Sequence, residues 1–438
     1  MDIVEDHTEF AYFLVLDDEN TLTVRNTGLR ITGALSALYH IGTVLRIRKR
    51  NPSRRYLTRP NLLANPRIET PWQALFRNCE DRAYITTMGV DVATFNYILE
   101  SGFGAAWNNH PIPRGDVDPM GNVRLGRRSL DAEGSLGLIL HFLSGTMNET
   151  SLQEVFALVP SVLSRYLEFA LGILAAVLKD NIREARICWP TPAEMRIYAK
   201  KIKKRHQTIV GAFGFMDGLS LPVSTSDDPE IERSTYNGWL HSHRITNVLV
   251  FAPDGCIISA QVNAPGSWHD SRTAAKVYEQ LRTRTPNGYF LIADSAFPRV
   301  GADLAGKIKT PLKERARLAD NPDEAARQIE YSNSITSARQ PAEWGMRALQ
   351  GAYGRLRMPL DINNPIGRRV LLETCLRLHN LRTRLIGINQ IKQVYMPEWG
   401  SEDERFLSEL HSMFFPNIRK NDRVKRFYLQ LAERQREA

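Results

Sequence analysis

Ile209-Val210-Gly211-Ala212-Phe213-Gly214-Phe215-Met216-Asp217-Gly218 is an apolar run that ends on an acid and a glycine. It reads as a buried strand, and the elements after it decide the fold class. Arg244 to Phe251 and Cys256 to Val262 are β-branched runs joined by Pro253-Asp254-Gly255, a hairpin signal. A helix is expected from Arg272 to Leu281. Tyr289 to Ala293 is short and wholly apolar, as strands buried in mid-sheet are, and it leads into Asp294. Ile308 to Leu312 suits an edge strand, because Pro311 cannot donate to a ladder. Charged, loop-like sequence runs from Lys313 to Gln340. A helix is predicted to start at Pro341-Ala342-Glu343, and another spans Gly367 to Leu381. This order of strand, hairpin, helix, strand and helix implies an α/β region with a mixed sheet flanked by helices.

Upstream the pattern is helical. Asp91 suits the N-cap of a helix to Ser101, and a Gly-, Pro- and Asn-rich loop is expected from Gly102 to Gly126. Leu136, Ile139, Leu140 and Leu143 mark one helical face. Asn148 or Thr150 suits the cap of a short helix through Gln153 to Leu158, and a third helix runs from Ser161 to Leu178. The arrangement is compatible with a helix-turn-helix, with Ser161, Ser164 and Arg165 as its polar, DNA-facing positions. The other residues of that helix are apolar and suit a bundle interior. Trp189-Pro190-Thr191-Pro192 marks a boundary, with Thr191 capping a helix that starts at Pro192. The expected division is an N-terminal extension with a basic linker (1–70), a helical region (72–188), the α/β domain (189–390) and a helical tail (391–438).

The formal net charge is +9, and the basic residues cluster at Arg46 to Arg55, at Lys200 to Arg205 and at Arg419 to Arg426. Such strips suit phosphate contact or nuclear import, and Lys203, Lys204 and Arg205 are the candidates within the second. Cys79, Cys188, Cys256 and Cys375 are far apart with no C-x-x-C pair, which excludes a zinc ribbon and a disulfide scaffold. The acidic first residues lack a signal-peptide pattern, and the longest apolar run, Phe169 to Leu178, is too short to span a bilayer. A soluble, intracellular protein is expected.

Asp217, Asp294 and Glu343 are three acids on predicted strands and a helix. Carboxylates on rigid elements are what hard divalent cations require, and two such ions clamp the attacking and leaving oxygens of a phosphodiester displacement. The element order resembles the ribonuclease H-like fold, in which the first and fourth strands are neighbours and would bring Asp217 beside Asp294.

The surrounding residues sharpen this. Gly211 to Gly218, Asn263-Ala264-Pro265-Gly266-Ser267-Trp268-His269-Asp270-Ser271 and Leu291-Ile292-Ala293-Asp294-Ser295-Ala296-Phe297-Pro298 resemble motifs of PIF/Harbinger-type DDE transposases and of the Harbinger transposase-derived nucleases. A last block comes in Asn333, Arg339, Glu343, Gly345, Arg355 and Arg357, then in Cys375-Leu376-Arg377-Leu378-His379-Asn380. The resemblance covers residues 72 to 390. It implies a DDE triad of Asp217, Asp294 and Glu343 holding two Mg²⁺ or Mn²⁺ ions, and DNA cleavage and strand transfer in the nucleus. A separate Myb/SANT-like DNA-binding partner and a homo-oligomer are compatible with it. Arg339, Arg347, Arg355 and Arg357 are candidates for flanking phosphates. A domesticated nuclease, or a DNA- or chromatin-binding protein with an idle fold, is the rival reading.

There are departures from the family pattern. Trp239 stands where the family often carries a basic residue, and Ala296-Phe297 replaces the commoner Gly-Tyr. Asp270 competes with Asp294 for the second acid, but its place at a helix start is explained by an N-cap role. His269 and His379 suit local hydrogen bonding, and His241 and His243 lack zinc-site spacing.

Overall fold

The computed structural model describes residues 56–114, 121–297, 304–313 and 316–396. A helix that the sequence predicts around Leu29 to Arg48, the first and third basic clusters and most of the tail lie outside them.

The region before the sheet is all helical. It comprises α1 (Pro71–Asn78), α2 (Asp81–Met88), α3 (Val92–Ile98), α4 (Gly104–Asn109), α5 (Ala132–Ser144), α6 (Glu149–Phe156) and α7 (Pro160–Asp180). Local chemistry starts several of them. The side chains of Thr70, Asp91, Asp131 and Asn148 each accept a hydrogen bond from an orphan amide of the first turn. Asn148, not Thr150, caps α6. Helix α4 falls inside the expected loop, because fully buried Trp107 anchors a segment whose Gly and Asn content conceals it. Trp72 stacks on Phe156 at 5.5 Å between ring centres, and Gly137 makes room for it, since a Cβ there would sit 2.2 Å from the Trp72 ring. By length and composition α7 is apolar enough to cross a membrane. Here Leu163, Tyr166, Ala170, Leu174 and Leu178 are buried, and the helix packs between α5 and α13 (Pro365–Leu385).

Helix α8 (Pro192–Arg205) opens with a capping box between Thr191 and Glu194 and leads into the sheet. The strands are β1 (Ala212–Pro222), β2 (Tyr236–Asn237), β3 (Ser242–Phe251), β4 (Ile257–Pro265), β5 (Phe290–Ala293) and β6 (Ile308–Lys309). Their order is β4-β3-β1-β5-β6, with the short β2 on the start of β3. β1 pairs antiparallel with β3 and parallel with β5, so first and later apolar strands are neighbours, as the ribonuclease H-like order requires. The hairpin turn holds Gly255 at φ +83°, and β6 is an edge strand. Helices α9 (Pro229–Thr235), α10 (Asp270–Thr273) and α11 (Ala275–Arg284) lie between strands, and α12 (Pro322–Ala352), α13 and α14 (Gln390–Tyr395) come after them. The protein is thus a mixed sheet flanked by helices, preceded by an all-helical region.

Two expectations are corrected. Asp217 does not end its strand; β1 continues to Pro222, because Leu219 and Leu221 keep the alternation going on the buried face. The helix bearing Glu343 does not start at Pro341. It starts at Pro322, capped by Asn321, and runs through Pro341. Pro341 has no N–H for the Ser337 carbonyl, which is why it reads as a start. The preceding turns are mostly polar, with only Ile335 and Ala338 buried among them, and so resemble a loop in sequence.

One core joins the helical region to one face of the sheet, from Trp72 through Phe215, Ile292 and Ala342 to Tyr395. A smaller core fills the other face, where Met195, Met216, Val277 and Leu291 meet.

Candidate active site

The positions of the acids are set by strand alternation. Phe215 and Leu219 face the larger core, so Asp217 between them points to the same face. Phe290 and Ile292 of β5 do likewise, and Asp294 continues that parity. Met216 is level with Ala293, so Asp294 leaves β5 directly beside Asp217. Asp217 accepts from the Gly218 amide at 2.9 Å, and Asp294 from the Ser295 amide at 2.6 Å.

Glu343 reaches the same face from α12, which packs on β1, β3 and β5. Gly345 permits the close approach: a Cβ there would lie 2.6 Å from two carbons of the buried Phe251 ring. One turn before Glu343, Arg339 joins two of the acids. Its Nη2 lies 2.9 Å from Glu343 Oε1 and its Nη1 3.6 Å from Asp217 Oδ2. Arg347 stands 3.9 Å from the other Glu343 oxygen and is largely exposed.

Burial pushes the Asp217 carboxyl up to about 6, and the charges of Asp294 and Asp270 add to this, while the Gly218 amide and Arg339 oppose it. Asp270 is raised too, by burial and then by Asp294. Asp270 is not the cap that its position suggests. His269 occupies the N-cap without a side-chain bond, and Asp270 is the first helical residue. Its carboxylate lies against Gly218, where an added Cβ would be 2.3 Å from Oδ2. Alternation sends a side chain at 218 away from Asp217, so Asp270 approaches β1 from the opposite face. The segment before it is fixed by Asn263 in the left-handed region (φ 65°), whose Oδ1 accepts from buried Arg368 at 2.6 Å.

Among the described residues, no three His, Cys, Asp or Glu side chains come close enough together to hold a metal ion as they stand. Arg339 lies between Asp217 and Glu343. The donor set nonetheless suits a hard divalent cation: the ligands offered are carboxylate oxygens, and one of them is half-buried with its charge disfavoured by its neighbours.

The remaining candidates scatter. Lys203, Lys204 and Arg205 are exposed at the end of α8, before the start of β1. Arg205 lies over the Tyr395 ring at 5.7 Å and lines an open groove of about 760 Å³ with Asn333, Ser334 and Ser337 of α12. Arg355 is half-buried over the Phe142 ring at 4.5 Å, which ties the end of α12 to α5; Arg357 beside it is exposed. Arg165 bonds back to the Ser161 carbonyl at 2.7 Å on the surface of α7. His379 and Asn380 are structural. His379 Nε2 is 3.2 Å from the Gly255 carbonyl oxygen, and burial lowers the imidazole to about 4, so it is neutral. Asn380 bonds both backbone groups of Ile257 and the Arg186 carbonyl.

Sequence reasoning missed the Arg339 bridge and the apposition of Asp270 to Gly218. The first was legible as the i, i+4 spacing of Arg339 and Glu343, once one helix is drawn through both. The second is a long-range contact with no local signal.

Residues 216–380 match the family of DDE superfamily endonucleases. The matched segment holds Asp217, Asp294 and Glu343 and ends on Asn380. No curated protein and no solved structure matches the chain.

Proposed function

We propose that this chain is a divalent-metal-dependent DNA endonuclease of the Harbinger transposase type, acting on double-stranded DNA in the nucleus. The observation that carries the reading is Asp217 on β1 with Asp294 at the exit of the neighbouring β5, and Arg339 joining Asp217 to Glu343 of α12, all within the segment that matches DDE endonucleases.

Asp217, Asp294 and Glu343 would hold Mg²⁺ or Mn²⁺, two ions in the full reading. Bound there, such ions lower the pKa of an attacking water or 3′-hydroxyl and neutralise charge on the leaving oxygen. The protein's own residues do the rest. Arg339 fixes the Glu343 carboxylate and balances the charge of Asp217. Arg347, exposed beside Glu343, and the Lys203-Lys204-Arg205 strip supply cations for flanking phosphates. Arg355 is engaged in packing and is a weaker candidate for that task. A Myb/SANT-like partner would supply sequence recognition that the mostly buried α7 offers only through Arg165 and its neighbours.

The Arg339 bridge also favours a second reading, a DNA-binding protein whose acids are idle. One experiment separates the two. Purified protein is incubated with supercoiled plasmid in Mg²⁺ or Mn²⁺, alongside D217N and D294N. Nicking by the wild type that both substitutions abolish, with plasmid binding retained, supports the endonuclease. Binding without nicking supports the idle protein, and nicking that survives D217N overturns the site.

A further inference from the structure

We infer that the β2–β3 loop is a DNA wedge, in which Trp239 stacks on an unpaired base of the bound substrate. This rests on the reading of the protein as a DNA endonuclease. Trp239 is 90% exposed, and its neighbours Leu240 and Tyr236 are 45% and 44% exposed. Indole is among the most expensive surfaces to leave in water, so a rigidly displayed ring calls for a partner.

The loop is rigid. Tyr236 pairs with His243 and Asn237 with Ser242. The Asn237 side chain accepts from the amides of Trp239 at 3.1 Å and Leu240 at 3.0 Å. His241 turns the chain in the left-handed region at φ 48°. These bonds fix the backbone that carries the ring before any partner arrives, so little ordering entropy remains to be lost.

The loop is also tied to the acids. Asn237 Nδ2 donates to the Gly266 carbonyl at 3.0 Å, four residues before Asp270. Gly266 is wedged so tightly that a Cβ would meet the Arg244 and Thr235 carbonyl oxygens at 2.2 and 2.4 Å. Along β3, Ser242 lies seven residues from Leu249, the partner of Asp217. At strand rise that is roughly 23 Å, or about seven base steps of 3.4 Å each.

Shape favours a nucleic acid over a protein surface. The loop itself, Tyr236 to Ser242, carries no Asp or Glu. Of the acids in and before α9, Glu232 pairs with His243 at 2.8 Å while Asp227, Asp228 and Glu230 are exposed, and the nearby cations are exposed Arg233 and Arg272, 3.9 Å over the Trp268 ring. A single projecting ring on a loop tip is shaped for a gap between bases, and aromatic stacking tolerates any base. A basic residue at this position would offer charge alone; Trp239 adds selectivity for distorted or unpaired DNA.

The test is fluorescence anisotropy with the full chain in EDTA. The probes are a labelled 30-base-pair duplex and the same duplex carrying a central three-thymine bulge. The wild type should bind the bulged duplex about tenfold or more tightly than the perfect one. W239A should reduce that preference to under about twofold, and W239F should keep most of it. A wild type without preference, or W239A with the wild-type preference, overturns the wedge while plasmid nicking can still uphold the endonuclease. Absence of binding to both probes overturns the wedge, and plasmid nicking then decides the endonuclease. If W239A instead dissociates an oligomer and leaves the DNA preference intact, the ring belongs to a protein interface and the wedge is overturned.

Discussion

The guanidinium of Arg339 neutralises Asp217 from 3.6 Å while holding Glu343 at 2.9 Å, so two acids from different elements share one cation of the protein's own. Arginine cannot surrender its proton, which makes this a permanent positive charge between a strand and a helix. Without it, burial and two neighbouring carboxylates would press Asp217 further towards the neutral acid.

Asp217 is therefore a liability to stability. Its carboxyl titrates near 6 in the folded chain and near 3.8 as a free group. Between those values the folded state holds the proton that the unfolded state has lost, so stability falls as pH rises through the window. A difference of this size is worth up to about 3 kcal/mol, with solvent reducing it. In EDTA, D217N should raise the melting temperature at pH 7.5 and flatten its dependence between pH 4 and 6. A lower melting temperature for D217N at pH 7.5 would refute this.

Arg339→Gln should act in the opposite direction. It leaves Asp217 and Glu343 without their shared partner, a loss of about 1–3 kcal/mol. Millimolar Mg²⁺ or Mn²⁺ should then raise the melting temperature of R339Q more than that of the wild type. An equal response to metal in both proteins would show that the bridge and a cation do not occupy the same role.

Gly345 sets how closely the Glu343 helix approaches the sheet. Gly345→Ala forces a methyl into Phe251 and should destabilise by about 1–3 kcal/mol while reducing nicking. Adding Phe251→Leu should recover part of the loss. Strict additivity of the two changes in chemical denaturation would mean that the helix does not rest on that ring.

Asn380 clamps the start of β4 through bonds of 2.7 and 2.8 Å to Ile257 and one of 2.8 Å to Arg186, with no solvent exposure. Asn380→Leu keeps the volume and strands the buried N–H and C=O of Ile257 that Asn380 clamps, while the Arg186 carbonyl keeps its bond from Arg384. A destabilisation of about 3 kcal/mol or more is expected by urea titration. A change below about 1 kcal/mol would mean that water or a shifted backbone replaces the amide.

Much of this architecture is written locally. Thr191 and Glu194 announce the start of α8, Pro253-Asp254-Gly255 the β3–β4 hairpin, and the apolar Tyr289 to Ala293 a strand with Asp294 at its exit. Distant contacts account for the elements that local sequence conceals. Pro341 looks like a helix start because its missing amide is tolerable there; only the packing of Ile335, Ala338 and Ala342 on the sheet carries the helix through it. Asp270 looks like a cap because helices often begin on Asp, yet it is set by Gly218, which lies far upstream and gives no local sign of the contact. Trp107 forms a helix inside a segment whose composition argues for a loop, since its ring finds Tyr166 and Phe169 on α7.

The continuous core from Trp72 to Tyr395 sets how this chain can be rearranged. Helix α7 rests on α13, and α13 in turn clamps the hairpin of the sheet through His379 and Asn380. A cut at Trp189 would bare the apolar faces of both helices. The helical region is consequently not a cassette: recombination that grafted a foreign α5–α7 onto this sheet would inherit a mismatched α13, and viable crossovers must carry both segments together.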